Sequence, residues 1–545
     1  MKLLNVILAV IVFCSFSAGR LPGQEVAEKA KPLPVNGLLE ISFISPDEYD
    51  NPFTEATVEA VLKSPQGKEA RVSGFFHGKN EWRVRFVPRE IGSWEYTAYF
   101  KGKTPQTQKG TFVCEDKERP GFLRISKRNP FRLEYEDGKP FYPIGVQTGG
   151  YTQMGFDGPA EGRWRSATME EWCEAFEGAV NLVRWQLGTG TQAGCALALI
   201  PKGGGPDRYD TELAAEMDRL LVLQREHGIS HIMILFQDMS LWGSSPTVFG
   251  NGRDLEEYKS VKAKNLPLQE AYLRYVVARF GCYVDIWELF NEDSYAPDDY
   301  LAHLAKVIRE ADPYKHPITT NYARPRAEWC EIVTWHEYMG MPVEKVDAYV
   351  AKEIGKFKSY GKVVMNTEFG NQGWLSNHDP IKWRIATWTA FMSESSILFW
   401  STSGRISKGG RPYRGNANAY LGPESRTYFR SLHSFTKDLP IDMRPVASGY
   451  TEHNDIRTYA LSNGKVSALY IHHFSDHSKS YQNPEEFFIQ TGPGSFKVTW
   501  INPADGKTVH TEDMSTKEQY LKFKKIPPVT IDLACKIERE DPKGN

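Results

Sequence analysis

The chain has 545 residues, 41% of them hydrophobic and 25% charged, with a formal net charge of -2 at pH 7. A single hydrophobic core stops growing at roughly 250 to 300 residues, so two or three domains are expected. This composition excludes a disordered chain or a membrane bundle, and with no basic excess to meet a phosphate backbone it speaks against nucleic acid as the main partner.

Residues 1–19 read as an export signal: Lys2 supplies the positive end, Leu3 to Phe13 is almost wholly apolar, and Ser17-Ala18-Gly19 offers small residues for cleavage. The expected location is therefore secreted or periplasmic, and the modular layout looks bacterial. No later apolar run reaches the ~20 residues of a membrane span. Residues 20–34 form a linker. Over residues 35–118 the pattern is β: Trp82, Val84 and Phe86 alternate with polar residues, as do Trp94, Tyr96, Ala98 and Phe100, around turn signals at Pro65-Gln66-Gly67 and Pro88. This predicts a small β-sandwich whose rings form its core, or stand exposed to glycan.

From residue 119 to about 440 strands alternate with amphipathic helices. Eight strand candidates appear: Tyr142–Val146, preceded by a hairpin-like Phe131–Pro140, then Val180–Trp185, His231–Phe236, Val284–Glu292, Pro317–Asn321, Ile332–Tyr338, Lys362–Phe369 and Ser396–Trp400. Between them Leu213, Met217, Leu220 and Leu221 keep helical spacing, with Asp210 as N-cap and Gly228 as stop. Eight such strands with intervening helices predict a central (β/α)8 TIM barrel rather than an open sheet. Residues 441–545 return to strand-like runs such as Val466–His472 and Ser495–Ile501, giving a C-terminal β-sandwich. The multidomain reading is thus a barrel flanked by two β domains. Cys114, Cys173, Cys195, Cys282, Cys330 and Cys535 are too scattered for a disulfide framework or a zinc site, so buried free thiols are favoured over one or two bridges.

Two strand ends carry the carboxylates that matter. Trp287-Glu288-Leu289-Phe290-Asn291-Glu292 ends strand four, and Asn366-Thr367-Glu368-Phe369-Gly370 ends strand seven. In a closed eight-stranded barrel these ends face each other across the active-site mouth. Two carboxyl groups there are what glycosidic bond cleavage requires, one protonating the departing oxygen and the other attacking the anomeric carbon. Glu288, two residues earlier on the same face as Glu292, is a rival that is expected to sit one layer deeper as a structural partner. The chain has no GxxxxGK[ST] loop, HExxH or GxSxG, so no cofactor and no metal is implied.

In these residues the chain resembles the clan A glycoside hydrolases, with a family 5-like likeness over roughly residues 119–440. Asn291-Glu292 is similar to the clan's strand-four Asn and acid/base Glu, and Glu368 to its strand-seven nucleophile. Arg184 matches the strand-two arginine that supports the nucleophile, His336 and Tyr338 the strand-six His-x-Tyr, and Trp400 the tryptophan after strand eight that lies under the sugar. The β region before the barrel resembles modules ahead of such barrels in agarase-like polysaccharide hydrolases, and the one after it a domain that often follows. The resemblance implies a retaining hydrolase of an oligo- or polysaccharide. Burial and the charge of Glu368 are expected to raise the pKa of Glu292, and Asn291 to hold a sugar hydroxyl. Tyr151, Trp242, Trp335 and Trp374 are further candidates for stacking on sugar faces, while Glu337 should point away from the cavity. Two alternatives stay open: a transglycosylase on the same barrel, and a non-catalytic glycan-binding scaffold at the cell surface.

Overall fold

The structure is a computed structural model that describes residues 32–117, 120–148, 169–187, 207–236, 255–294, 296–371, 379–400, 421–450, 455–481 and 486–540. The expected export signal, Cys195 and the ring candidates Tyr151, Trp242 and Trp374 lie outside the described residues.

Eight parallel strands form one sheet: Ile144–Thr148, Leu182–Gln186, Ser230–Phe236, Ile286–Phe290, Ile318–Thr319, Ile332–Met339, Val363–Asn371 and Ser395–Phe399. Numbered one to eight along the chain, their spatial order is five, four, three, two, one, eight, seven, six. The sheet thereby curls almost into a closed barrel, with strand five beside strand six. Strands two, three and four are buried along their whole length, which is the fate of a strand held between a packed interior and a coat of helices. That burial is why runs such as His231-Ile-Met-Ile-Leu-Phe236 are continuously apolar instead of alternating.

Helices follow seven of the strands: Met169–Phe176, Thr211–Glu226, Leu255–Phe280, Asp298–Ala311, Val346–Lys358, Pro380–Met392 and Gly422–Thr436. Asp210 caps the second, its side chain accepting from the backbone N–H of Glu212 and Leu213 at 3.1 and 2.9 Å. Gly228, at φ +74°, ends the same helix as expected. The expectation of a helix in every crossover fails once. Strands five and six are joined by residues 320–331, which contain no α-helix. Pro325 stands in the middle of that segment and no apolar residues recur there at helical spacing.

The hairpin-like segment ahead of strand one is part of a three-stranded sheet, Leu123–Ile125, Leu133–Tyr135 and Pro140–Phe141. Leu123, Leu133 and Phe141 pack against Leu182, Ile232 and Ile286 at the starts of barrel strands. This apolar plug fills one end of the barrel, so the polar chemistry is confined to the other.

In the N-terminal domain a five-stranded and a three-stranded sheet bury Trp82, Val84, Phe86, Trp94, Tyr96 and Phe100. The alternating rings are its core and not a platform for glycan. An ion cluster ties this domain to the barrel: Arg85 reaches Asp218 at 2.7 Å and Glu40 at 2.8 Å, and Arg279 meets Asp218 at 2.8 Å. The C-terminal domain likewise has a six-stranded and a three-stranded sheet. It covers helix Pro380–Met392, which is buried nearly all round because it has barrel on one side and sheet on the other. Trp388 stacks on Tyr470 with ring centres 5.5 Å apart, and Arg384 grips Asp532 at 2.9 Å. Cys114, Cys173, Cys282, Cys330 and Cys535 are free and buried.

Asp347, fully buried on helix Val346–Lys358, anchors the same C-terminal domain. It accepts from Arg457 at 2.7 Å and from the Tyr459 hydroxyl at 2.9 Å, and His472 Nδ1 lies 3.0 Å away. Burial alone would raise its pKa, but its interactions with His472 and Arg457 outweigh that and hold it below the usual carboxylate range. A depressed carboxyl stabilises the fold above its unfolded pKa of about 3.9, and that contribution is lost as pH falls toward the folded value. Asp347→Asn should therefore cost about 3 kcal/mol near pH 7, with the deficit shrinking below pH ~4. Thermal or urea melts of both proteins across that range check it; a pH-independent deficit contradicts the assignment.

Candidate active site

The polar end of the barrel is organised by Arg184, a fully buried residue on strand two. Its Nε and Nη2 donate to the two oxygens of Glu288 at 2.7 and 2.5 Å. Nη2 also donates to Asn291 Oδ1 at 2.9 Å, and Nη1 donates to Glu368 Oε1 at 2.7 Å and to Gln147 Oε1. All five guanidinium N–H groups are thereby used. Burial by itself would lower the arginine's pKa, but the charge and hydrogen bonds of Glu288, then of Glu368, outweigh it and push the pKa up. Glu288, also fully buried, is the structural partner expected of it and not part of the opening.

Glu368 ends up facing the mouth because strand seven shifts register against strand six between residues 335 and 336. Tyr338 on strand six donates its hydroxyl to Glu368 Oε2. Burial, reinforced by that carboxylate's charge, raises the tyrosine's pKa, so it stays a donor. His336 stands beside it, with Nδ1 2.7 Å from Glu292 Oε1 and 3.6 Å from Glu368 Oε2, and Nε2 3.2 Å from Thr367 Oγ1. Glu337, between the two, turns outward and accepts from Tyr349 on the following helix.

Glu292 lies just past strand four with φ +50°, in the left-handed region. For a residue with a Cβ that conformation costs ~1–3 kcal/mol and persists only where neighbours fix it. They do: Asn291 N–H donates to Phe236 O at 3.1 Å, and Asp293 N–H to Asn321 O at 2.8 Å. The Glu292 side chain keeps 20% exposure while that of Glu368 keeps 4%, so one carboxyl opens to solvent and the other is sunk. One ligand atom each from Glu292, His336 and Glu368 lies within 4.8 Å of the others. Among the described residues this is the one such group close enough to share a cation, yet the 2.7 Å contact of His336 with Glu292 is a hydrogen bond.

The expectation of a raised pKa for Glu292 is reversed. Burial does push it up, but the hydrogen bond and charge of His336, then the charge of Arg184, outweigh burial and lower it. The group that reverses it is the His336 imidazole, brought beside Glu292 from a strand 44 positions away.

Arg184, Asn291, Glu292, His336, Tyr338 and Glu368 are thus brought together. Trp400 follows strand eight, where its backbone N–H donates to Phe369 O at 3.0 Å. Trp335 does not join them: it is buried on the outer face of strand six, stacked on Phe357 with ring centres 5.9 Å apart. Strand alternation puts it opposite His336 and makes it a packing residue. Gln147 and Thr367 were missed. Gln147 carried a signal, being a polar residue at the C-terminal end of strand one, whereas Thr367 depends on the local register shift.

Residues 34–101 match a family described as a domain of unknown function, DUF5060. No curated protein matches the chain. Among solved structures, a candidate glycoside hydrolase from Bacteroides vulgatus superposes with a TM-score of 0.64 at 17% identity, over 93% of this chain and 100% of that one. A family 5 glycoside hydrolase from the same organism superposes with a TM-score of 0.52 at 16% identity, over 77% and 94%. At such identities the likeness is one of fold: this chain has a barrel and flanking sheets of the kind found in glycoside hydrolases.

Proposed function

We propose that the protein is an exported bacterial retaining glycoside hydrolase of clan A, acting on an oligo- or polysaccharide. The observation that carries this reading is the approach of one Glu292 oxygen and one Glu368 oxygen to within 4.8 Å of each other at the polar end of a plugged barrel. Retaining enzymes hold their two carboxyls ~5–5.5 Å apart, whereas inverting enzymes need ~6.5–9.5 Å to admit a water.

In the first step a Glu368 oxygen attacks the anomeric carbon and forms an ester. The glycosidic C–O bond breaks as Glu292 gives its proton to the leaving oxygen. In the second, water attacks the same carbon, Glu292 takes the water's proton, and the ester bond breaks to return Glu368 as carboxylate. Arg184 and Tyr338 each donate a hydrogen bond to Glu368, one to each oxygen, and so keep it aimed. Arg184 also binds the Asn291 amide oxygen, which leaves the NH2 end to donate to a sugar hydroxyl.

His336 supplies the proton account. A carboxylate only accepts, so with Glu292 ionised the hydrogen at the 2.7 Å contact belongs to Nδ1. When a sugar displaces water, the charged form of the Glu292 carboxyl loses solvation, which favours its protonated form in the complex. Burial, already acting to raise the Glu292 pKa, works in the same direction.

Glu368→Gln and Glu292→Gln should each lower kcat by about a thousandfold or more on whichever polysaccharide or aryl glycoside of a panel the unmodified protein cleaves. Glu292→Gln, at the lip, should retain its melting temperature, whereas Glu368→Gln, which removes a charge paired with buried Arg184, should lower it without unfolding the protein. An unmodified protein that binds glycans and cleaves none would make the barrel a scaffold, and sugar transfer to an acceptor in place of release would make it a transglycosylase.

A second expectation concerns pH. Removing the imidazole in His336→Ala frees Glu292 from the group that holds its pKa down, so Glu292 stays protonated to higher pH. The basic limb of the kcat/KM profile should move up; a limb that stays or moves down contradicts the proton pairing.

A further inference from the structure

An open cleft of about 540 Å3 lies at the plugged end of the barrel, between the end of helix Gly422–Thr436, the plug strand Pro140–Phe141 and the turn that leads into strand two. That volume falls within the ~300–1,000 Å3 of ordinary ligand pockets. Tyr142 and Asn181 on its wall precede strands one and two, whereas Glu292 and Glu368 stand toward the other ends of their strands. The cleft therefore has no part in the chemistry at the mouth.

Its walls combine rings with charge of one sign. Tyr135, Phe141 and Tyr142 line it beside Arg430, Ser434 and Lys437, and among the described residues no carboxylate does. In a chain whose formal charge is -2 such a lining is a local feature. Arg430 is held in place: its Nε donates to the Glu177 carbonyl at 2.9 Å and its Nη2 to the Ala175 carbonyl at 2.7 Å, at the end of helix Met169–Phe176. A guanidinium has five N–H groups, so three remain without a protein partner. The Lys437 ammonium has no partner among the described residues either. Burial, followed by the charge of Arg426, outweighs the opposing charge of Glu177 and lowers the Arg430 pKa. His433 on the same wall adds no charge at neutral pH, because burial pushes its pKa down to about 4.

We propose that this cleft binds an acidic sugar unit, one that carries a carboxylate or a sulfate group, as a glycan site remote from the carboxyl pair. The N–H groups left on Arg430 can make a two-point contact with either anion, and Lys437 supplies a second positive charge. A pyranose offers C–H groups that pack on aromatic walls. An uncharged sugar would leave both cations unmet, and a bare inorganic anion would leave the rings uncovered. The ligand that meets both walls is an anionic saccharide. This goes beyond the hydrolase reading and does not depend on it.

The test is calorimetry at low ionic strength, where exposed charges are least screened. Trimers of galacturonate, of mannuronate and of sulfated galactose are compared with uncharged galactose and mannose trimers and with sodium sulfate. At least one acidic trimer should bind about tenfold more tightly than its uncharged counterpart and than sulfate, and the carboxylate and sulfate arms tell which group is taken. Lys437→Ala and Arg430→Gln should each weaken that binding about tenfold. Ser434→Trp, which fills the cleft and keeps both cations, should abolish it. Because Arg430 also closes a helix end, Lys437→Ala and Ser434→Trp decide the matter if Arg430→Gln is unstable. The proposal is overturned if no acidic trimer binds, if uncharged trimers or sodium sulfate bind equally well, or if binding survives unchanged in Lys437→Ala and Ser434→Trp.

Discussion

Everything at the polar end of the barrel depends on one buried cation. Arg184 cannot shed its proton, and a guanidinium taken out of water is tolerable only where each donor finds an acceptor. Five acceptor contacts from four residues meet that demand, on strands one and seven and on strand four with the turn that follows it. Because the planar fork has a fixed shape, those elements are held at fixed distances from strand two. Glu288 takes two of the donors and roughly balances the charge; Glu368 takes one, so it is steadied without being neutralised. A lysine would meet the charge but not the geometry, since a single ammonium cannot address strands on both sides.

That arrangement divides the two carboxyls by environment. Glu368 is sunk between an arginine and a tyrosine that can only donate to it, while Glu292 sits at the lip on a strained turn beside an imidazole. One side chain is thereby held by a donor at each oxygen and the other placed where a proton can come and go. The apolar plug at the opposite end and the two flanking domains do not touch this chemistry. They cover the barrel's floor and helices, and so leave a single face for it.

Much of this was legible in the sequence because burial on both faces writes itself as unbroken apolar runs. The eight strands, the Asp210 cap and the Gly228 stop follow directly from such patterns, as does the pair Glu292 and Glu368 at two strand ends. Trp335 is the candidate that the structure removes: the alternation that turns Glu337 outward sends Trp335 to the helix side as well. The missing helix between strands five and six had its warning in Pro325. What the pattern could not carry were contacts between distant segments. The imidazole that lowers the Glu292 pKa comes from a strand 44 positions away, and the Gln147 contact with Arg184 spans 37. Side-chain charge coupling of that kind is fixed by register shifts and loop geometry, which leave no periodic trace.

The account stands on Glu368 as the atom donor to a sugar-bound intermediate, and mass spectrometry of trapped protein addresses it most directly. A 2-deoxy-2-fluoro glycosyl fluoride of the sugar the enzyme accepts slows the second step more than the first, so the ester accumulates. The account predicts an added fluorosugar mass on the peptide containing Glu368, and none on that residue in Glu368→Gln. Label on Glu288 or Glu292 instead, or turnover by the unmodified protein with no covalent species under these conditions, would contradict it.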